Sequence, residues 1–284
     1  MLSGFVLQYS CQDQPTGRFY RNRVARIYPT HLLTLGLFLL PQLLRGALHD
    51  SPLQLVSNAL LLHAWVPDQA YFFSGNPVSW SISVEFFFYA LFPLLLLLKG
   101  WQRRGLLLLL ITGMLAGLHL FPSPQYHSLY YIHPLFRLPD FLIGMELCLL
   151  FKKRNEQGDY SGLQWAALLF FVLAYAFANH IPMVYRYGMY YWLPVALLIY
   201  AFSLPGFWHR VLSRRWLVWL GEVSFAFYMI HLLVIRVVER LPFPTFVESA
   251  LALGLSILAA ACIRHFYEQP LNRWIRSGSA KRQG

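Results

Sequence analysis

From Ile27 onward the sequence alternates between eight long apolar runs and short clusters of Lys and Arg, and this alternation constrains the fold more than any other feature. The runs are roughly Ile27–Leu44, Val84–Leu98, Leu106–Phe121, Pro139–Phe151, Leu163–Ala178, Tyr190–Leu204, Trp216–Val238 and Val247–Ile263. With 12% charged residues against 57% hydrophobic and a mean hydropathy of +0.47, the chain is far poorer in charge than a soluble domain, which carries about a quarter. Backbone in lipid must satisfy its own hydrogen bonds, so runs of this kind predict helices that cross a membrane. Several are shorter than a comfortable crossing, which tilt or local thinning of the bilayer must absorb.

Charge predicts the orientation. The net charge of +11 sits between the apolar runs, the placement of cytoplasmic loops rather than of a nucleic-acid surface. If the loop holding Arg18 to Arg26 is cytoplasmic and Leu53–Val66 lies in the outer interface, the later basic clusters all fall inside. These are Lys99/Arg103/Arg104, Lys152/Lys153/Arg154, Arg210/Arg214/Arg215 and the C-terminal Arg273/Arg276/Lys281/Arg282. The expected architecture is an all-α polytopic transmembrane bundle of about eight full spans plus an N-terminal helix fragment at Leu2–Leu7. Residues 1–276 form one membrane domain, and 277–284 a disordered cytoplasmic tail. The N-terminus has no basic stretch ahead of an apolar run and does not read as a signal peptide. Cys11, Cys148 and Cys262 lie in or beside apolar segments and read as buried free thiols.

Against this apolar background the polar residues stand out. SWSISVEFFFYALFP at Ser79–Pro93 carries one carboxylate, Glu85, near the head of a span. An acid there is costly to bury and is a functional candidate, although a carboxylate near a helix N-terminus also serves as a cap. Glu85 shares a helical face with Phe88, Tyr89 and Phe92, and Tyr89 is its candidate hydrogen-bond partner. Arg18, Arg21, Arg23 and Arg26 arrive together; they suit a topology anchor, or phosphate oxygens gripped by guanidinium forks. Arg137 and Asp140 are spaced to pair, with Pro139 between them disturbing the geometry. Glu146 must face protein or water. Ser224, Tyr228 and His231 fall on one helical face, where His231 is either a proton-transfer group or a satisfied buried histidine. Arg264 and Glu268, four apart, read as an internal ion pair. No Ser-His-Asp order, zinc-type cluster or phosphate-binding glycine loop occurs.

Six stretches together resemble acyltransferase family 3, bacterial membrane enzymes that O-acylate sugars and other hydroxyl acceptors. They are LSGFVL at Leu2–Leu7, RFYRNRVARIYP at Arg18–Pro29, SWSISVEFFFYALFP at Ser79–Pro93, RLPDFLIGM at Arg137–Met145, LGEVSFAFYMIH at Leu220–His231 and FYEQPLNR at Phe266–Arg273. The resemblance covers nearly the whole chain. It implies transfer of an acyl group, acetyl above all, from acyl-CoA as cosubstrate, with no permanently bound cofactor and no metal. The acceptor it implies is a glycan or lipid-linked sugar hydroxyl, in the bacterial inner membrane with the C-terminus cytoplasmic. Glu85, Arg137 and His231 would be the catalytic groups lining a polar cavity; Arg18, Arg21, Arg23 and Arg26 would hold the CoA phosphates or shape the inner entrance. The family plan begins with a further helix bearing an Arg and a His, the latter usually regarded as the base. Met1 falls within what would be the family's second helix, so that base is expected to be missing through a misplaced start, a truncation or a real loss. A transporter or flippase using the same buried charges, or an inactive remnant, are the alternatives in other classes.

Overall fold

The computed structural model describes residues 1–120, 125–154 and 158–277, and no strand occurs among them. In chain order the helices are α1 (Leu2–Ser10), α2 (Thr16–Leu44), α3 (Pro52–Ala59), α4 (Gln69–Phe72), α5 (Trp80–Leu97), α6 (Gly100–Leu120), α7 (Leu138–Lys152), α8 (Ser161–Ala176), α9 (Met183–Arg186), α10 (Met189–Ser203), α11 (Phe207–Leu212), α12 (Arg215–Val238), α13 (Thr245–Cys262) and α14 (Gln269–Ser277). Each of the eight apolar runs coincides with a helix. Five of these are long and apolar enough to cross a membrane: α2, α5, α6, α12 and the continuous stretch Thr245–Ile275. The tail read as disordered lies, from residue 278, outside the described residues.

The arginines placed in a loop before the first span instead belong to it. Pro15, with ψ of 134°, sets the start of α2, and the 29-residue helix then runs unbroken through Arg18, Arg21, Arg23 and Arg26. Arginine is a good helix former, and about 43 Å of helix overshoots a hydrocarbon core of about 30 Å, so the arginine turns extend past the lipid interior. Leu53–Val66 gives only the eight-residue α3 and a 3-10 turn at His63–Trp65. Ser51 and Gln54 close a reciprocal capping box at the start of α3, with Pro52 at its first position.

The described residues divide into two compact units inside α5. The first holds Met1–Gln14 and Val84–Arg214, the second Pro15–Ser83 and Arg215–Gly284. In the first unit α1 lies directly on α7, and a Cβ at Gly4 or Gly144 would run into the backbone of the other helix. Small residues at that crossing let the two backbones touch. Phe141 of α7 stacks on Phe88 at 4.8 Å and meets Phe92 edge-on, which seats the apolar face of α5. In the second unit α12 pairs with α13, and α2 packs against α12 and α14.

Two expectations change here. Cys11 and Cys148 are buried, but Cys262, at the end of α13, is exposed; an outward apolar side chain carries no penalty where the surroundings are lipid. Arg264 and Glu268 do not pair with each other. Ile263–Glu268 is a π-helix, not the α-helix that the four-residue spacing assumes. Arg264 instead binds Glu222 at 2.7 Å, and Glu268 binds Arg26 at 3.2 Å.

Candidate functional site

In the first unit, Glu85 is half-buried and accepts a hydrogen bond from the Tyr89 hydroxyl at 2.7 Å, one turn further along α5. Arg137 ends a 3-10 turn, Pro134–Arg137, that runs straight into α7. Pro139 therefore sits in the first turn of the helix, where its missing N–H costs nothing. The Arg137–Asp140 pair consequently forms, at 3.1 Å. The guanidinium also donates to the Tyr187 carbonyl at 2.8 Å and lies over the Tyr131 ring. Asp140 takes a second hydrogen bond from Trp192 Nε1 at 2.5 Å. Arg137 is thus a cation fixed from several sides, beside a cleft of about 590 Å³ that Tyr131, Tyr187, Tyr191 and Trp192 also line. Glu85, Arg137 and Asp140 all act electrostatically on the Met1 backbone nitrogen, so they share one region of this unit. Glu146 is held elsewhere, between Arg103 at 3.2 Å and Arg104 at 3.0 Å.

In the second unit, His231 is half-buried on α12 and stacks on Phe227, with 11° between the rings. Its Nδ1 lies 2.7 Å from the carbonyl oxygen of Tyr228. A carbonyl oxygen only accepts, so the Nδ1 carries the proton, and in the neutral ring Nε2 is left as a base. The predicted Ser224–Tyr228–His231 face does not become a side-chain relay. Ser224 turns back to Gly221 O, and the Tyr228 hydroxyl donates to Val78 O and accepts from Ser81 Oγ. His231 lines a pocket of about 370 Å³ between α12 and α13.

The arginine turns of α2 are unequal. Arg26 is occupied by Glu268, which is 1% exposed and also accepts a long contact from Thr30 Oγ1. Arg18 is exposed, and Arg21 and Arg23 are half-buried. These remain the residues suited to a polyphosphate. Among the described residues no three His, Cys, Asp or Glu side chains are grouped to hold a metal.

A buried polar network in the second unit was only half visible in the sequence. The Asn58 side-chain amide donates to Ser74 O at 2.7 Å and to Ser79 Oγ at 3.1 Å, and the Asn58 backbone carbonyl lies 3.0 Å from His31 Nε2. His63 Nε2 lies 3.2 Å from Ser79 Oγ. Asn76 donates to the Met229 carbonyl at 2.9 Å, which pins α12 two residues before His231. His31, Asn58, His63, Asn76 and Ser79 are all fully buried. Gly75 makes the tight turn possible: its φ is +59° and a Cβ would strike Leu35. Leu61 also adopts a positive φ, and Ser83 Oγ grips its carbonyl at 2.5 Å. His31 lies within a predicted span, and the rule applied to Glu85, that a polar or ionisable group in a span is informative, would have found it.

Residues 1–265 match a family model described as an acyltransferase domain. The chain is also similar to a protein from Streptomyces mycarofaciens named acyltransferase MdmB, at 31% identity over an alignment of 297 residues that covers 93% of this chain and 75% of that protein. No solved structure matches the chain at a significant level.

Proposed function

Because the chain belongs to the acyltransferase family, we propose that it moves an acyl group from acyl-CoA to a hydroxyl of a cell-surface glycan or related acceptor. That it is a membrane acyltransferase follows from the family and from its apolar helices. The finer reading has acetyl as the acyl group, the bacterial cytoplasmic membrane as the location, and the C-terminus and the arginine turns of α2 on the inner side, where CoA is found.

The observation that most supports this reading is the imidazole of His231, which offers a free Nε2 on the wall of a pocket. In the proposed step Nε2 takes the proton of the acceptor hydroxyl as its oxygen attacks the thioester carbonyl carbon. The carbon–sulfur bond then breaks, and the imidazolium returns the proton to the departing CoA sulfur. In the first unit, Arg137, held by Asp140 and Tyr187, is proposed as a group suited to stabilise developing negative charge. Glu85, fixed by Tyr89, orients a hydroxyl group. Arg18, Arg21 and Arg23 bind the CoA phosphates, while Arg26 acts through Glu268 to shape the entrance they border.

The test uses the purified protein in lipid nanodiscs with acetyl-CoA, with and without hydroxylated glycan acceptors, and titrates released thiol with Ellman's reagent. Acceptor-dependent thiol release is expected. Substrate movement without thioester cleavage would point to a transporter and end the reading.

A further inference from the structure

Glu239 and Glu248 have no part in the step described above. Both line the pocket that holds His231, Glu239 just past the end of α12 and Glu248 in the first turn of α13. Among the described residues neither carboxylate has an ion-pair or side-chain hydrogen-bond partner, and the two Glu–Arg pairs of this unit lie elsewhere. Ser256 lies about 16 Å further along α13 than Thr245. It also lines the pocket, is 1% exposed and makes no side-chain hydrogen bond. Between these polar ends the walls are apolar, formed by Phe227, Ile235 and Leu253.

A carboxylate in the first turn of α13 is favoured by the helix dipole, which accounts for Glu248 alone. It does not account for a second carboxylate on the wall of the same pocket. Nor does it account for the Ser256 hydroxyl, which lines the pocket without making a side-chain hydrogen bond. A ligand with a cationic group at the turn and an apolar body alongside Phe227 and Leu253 satisfies both carboxylates and the apolar walls at once. The volume of about 370 Å³ is in the range of small-molecule sites.

We propose that this pocket is the acceptor site and that the acceptor carries a protonated amine in addition to the hydroxyl that is acylated. The proposal rests on the reading of His231 as the base. Two probes of matched shape test it: octyl glucosaminide, with a free ammonium group, and octyl N-acetylglucosaminide, which is neutral. Their binding is measured by calorimetry to the full chain in nanodiscs of phosphatidylcholine and phosphatidylglycerol. The amine is expected to bind at least tenfold more tightly. In the Glu239→Gln/Glu248→Gln double variant that advantage should vanish while the affinity for the neutral probe stays unchanged, which also reports that the variant is folded. Equal binding of the two probes, or an advantage that survives in the double variant, overturns the proposal. Adding phosphatidylethanolamine to the discs should leave amine binding unchanged; if it displaces the probe, the pocket belongs to a lipid headgroup and the acceptor assignment fails. Thiol release from acetyl-CoA, followed on the same preparation, separates the two claims. Amine preference without thioester cleavage removes the acyl-transfer reading and leaves the amine site standing, and cleavage without amine preference does the reverse.

Discussion

Arg26 and Glu268 come from near the two ends of the chain and meet in an ion pair of 3.2 Å, with the carboxylate 1% exposed and the guanidinium 37% exposed. The asymmetry of burial sets the energetics. Arg26→Ala leaves a buried carboxylate without its cation, at a cost of about 3 kcal/mol, whereas Glu268→Ala leaves an arginine that can still reach water. Unfolding in detergent should therefore show Arg26→Ala as clearly the worse variant, with the double variant recovering part of the loss. Equal losses would mean the pair does not hold α2 against Ile263–Glu268.

Burial, together with the neighbouring His31, pushes His63 down to about 3 from an ordinary 6.5, with a backbone contact to Ser57 opposing only in part. Neutral in the fold and protonated more readily when unfolded, His63 contributes stability that is complete above pH 6.5. That contribution is lost as pH falls from there toward 3. The loss amounts to on the order of 4 kcal/mol across the window. Thermal unfolding followed against pH should show a decline below about pH 6.5 that is shallower in His63→Gln. The same slope in both proteins would rule His63 out as its source.

The helices were legible because hydropathy is a local property. Every apolar run became a helix, and α5 was foreseen to within four residues at its start and one at its end. Partners were harder. The Glu85–Tyr89 and Arg137–Asp140 pairs were readable because both members lie within one turn of each other. Glu268 was assigned to Arg264 by α-helical spacing, and only the π-turn and the distant Arg26 correct it. The network of His31, Asn58, His63 and Ser79 depends on a turn that folds back over α2, with Gly75 at its corner. Nothing local in the sequence signals which polar groups such a turn brings together.

Arg137 is held by the geometry of a fork, with one arm on Asp140 and the other on the Tyr187 carbonyl. Lysine cannot reproduce both contacts. Arg137→Lys should lower kcat by about a hundredfold with KM for the donor little changed, as expected for a group that acts on developing charge. Gly188→Ala gives a subtler check, because its Cβ would stand 3.3 Å from the Arg137 Nη1 and displace the fork. It should reduce kcat in the same direction. A rise in KM alone in either variant would make Arg137 a binding residue.

Arg18, Arg21 and Arg23 lie in the first turns of α2, beyond its apolar part. Replacing any one by Ala should raise KM for acetyl-CoA by about tenfold, the worth of one charge-assisted hydrogen bond, and leave kcat near its starting value. Added salt should narrow the difference from the parent protein. KM values that do not move with either substitution or salt would return these arginines to a purely topological role.

The most direct test of the account concerns His231. Initial rates of CoA thiol release from acetyl-CoA, with saturating acceptor, are compared between the parent protein and His231→Ala in nanodiscs. General-base catalysis of this kind contributes about 10²- to 10⁴-fold, so the variant should lose at least a hundredfold in kcat while keeping its affinity for acetyl-CoA. Thiol release within twofold of the parent protein would contradict the assignment of His231 as the base.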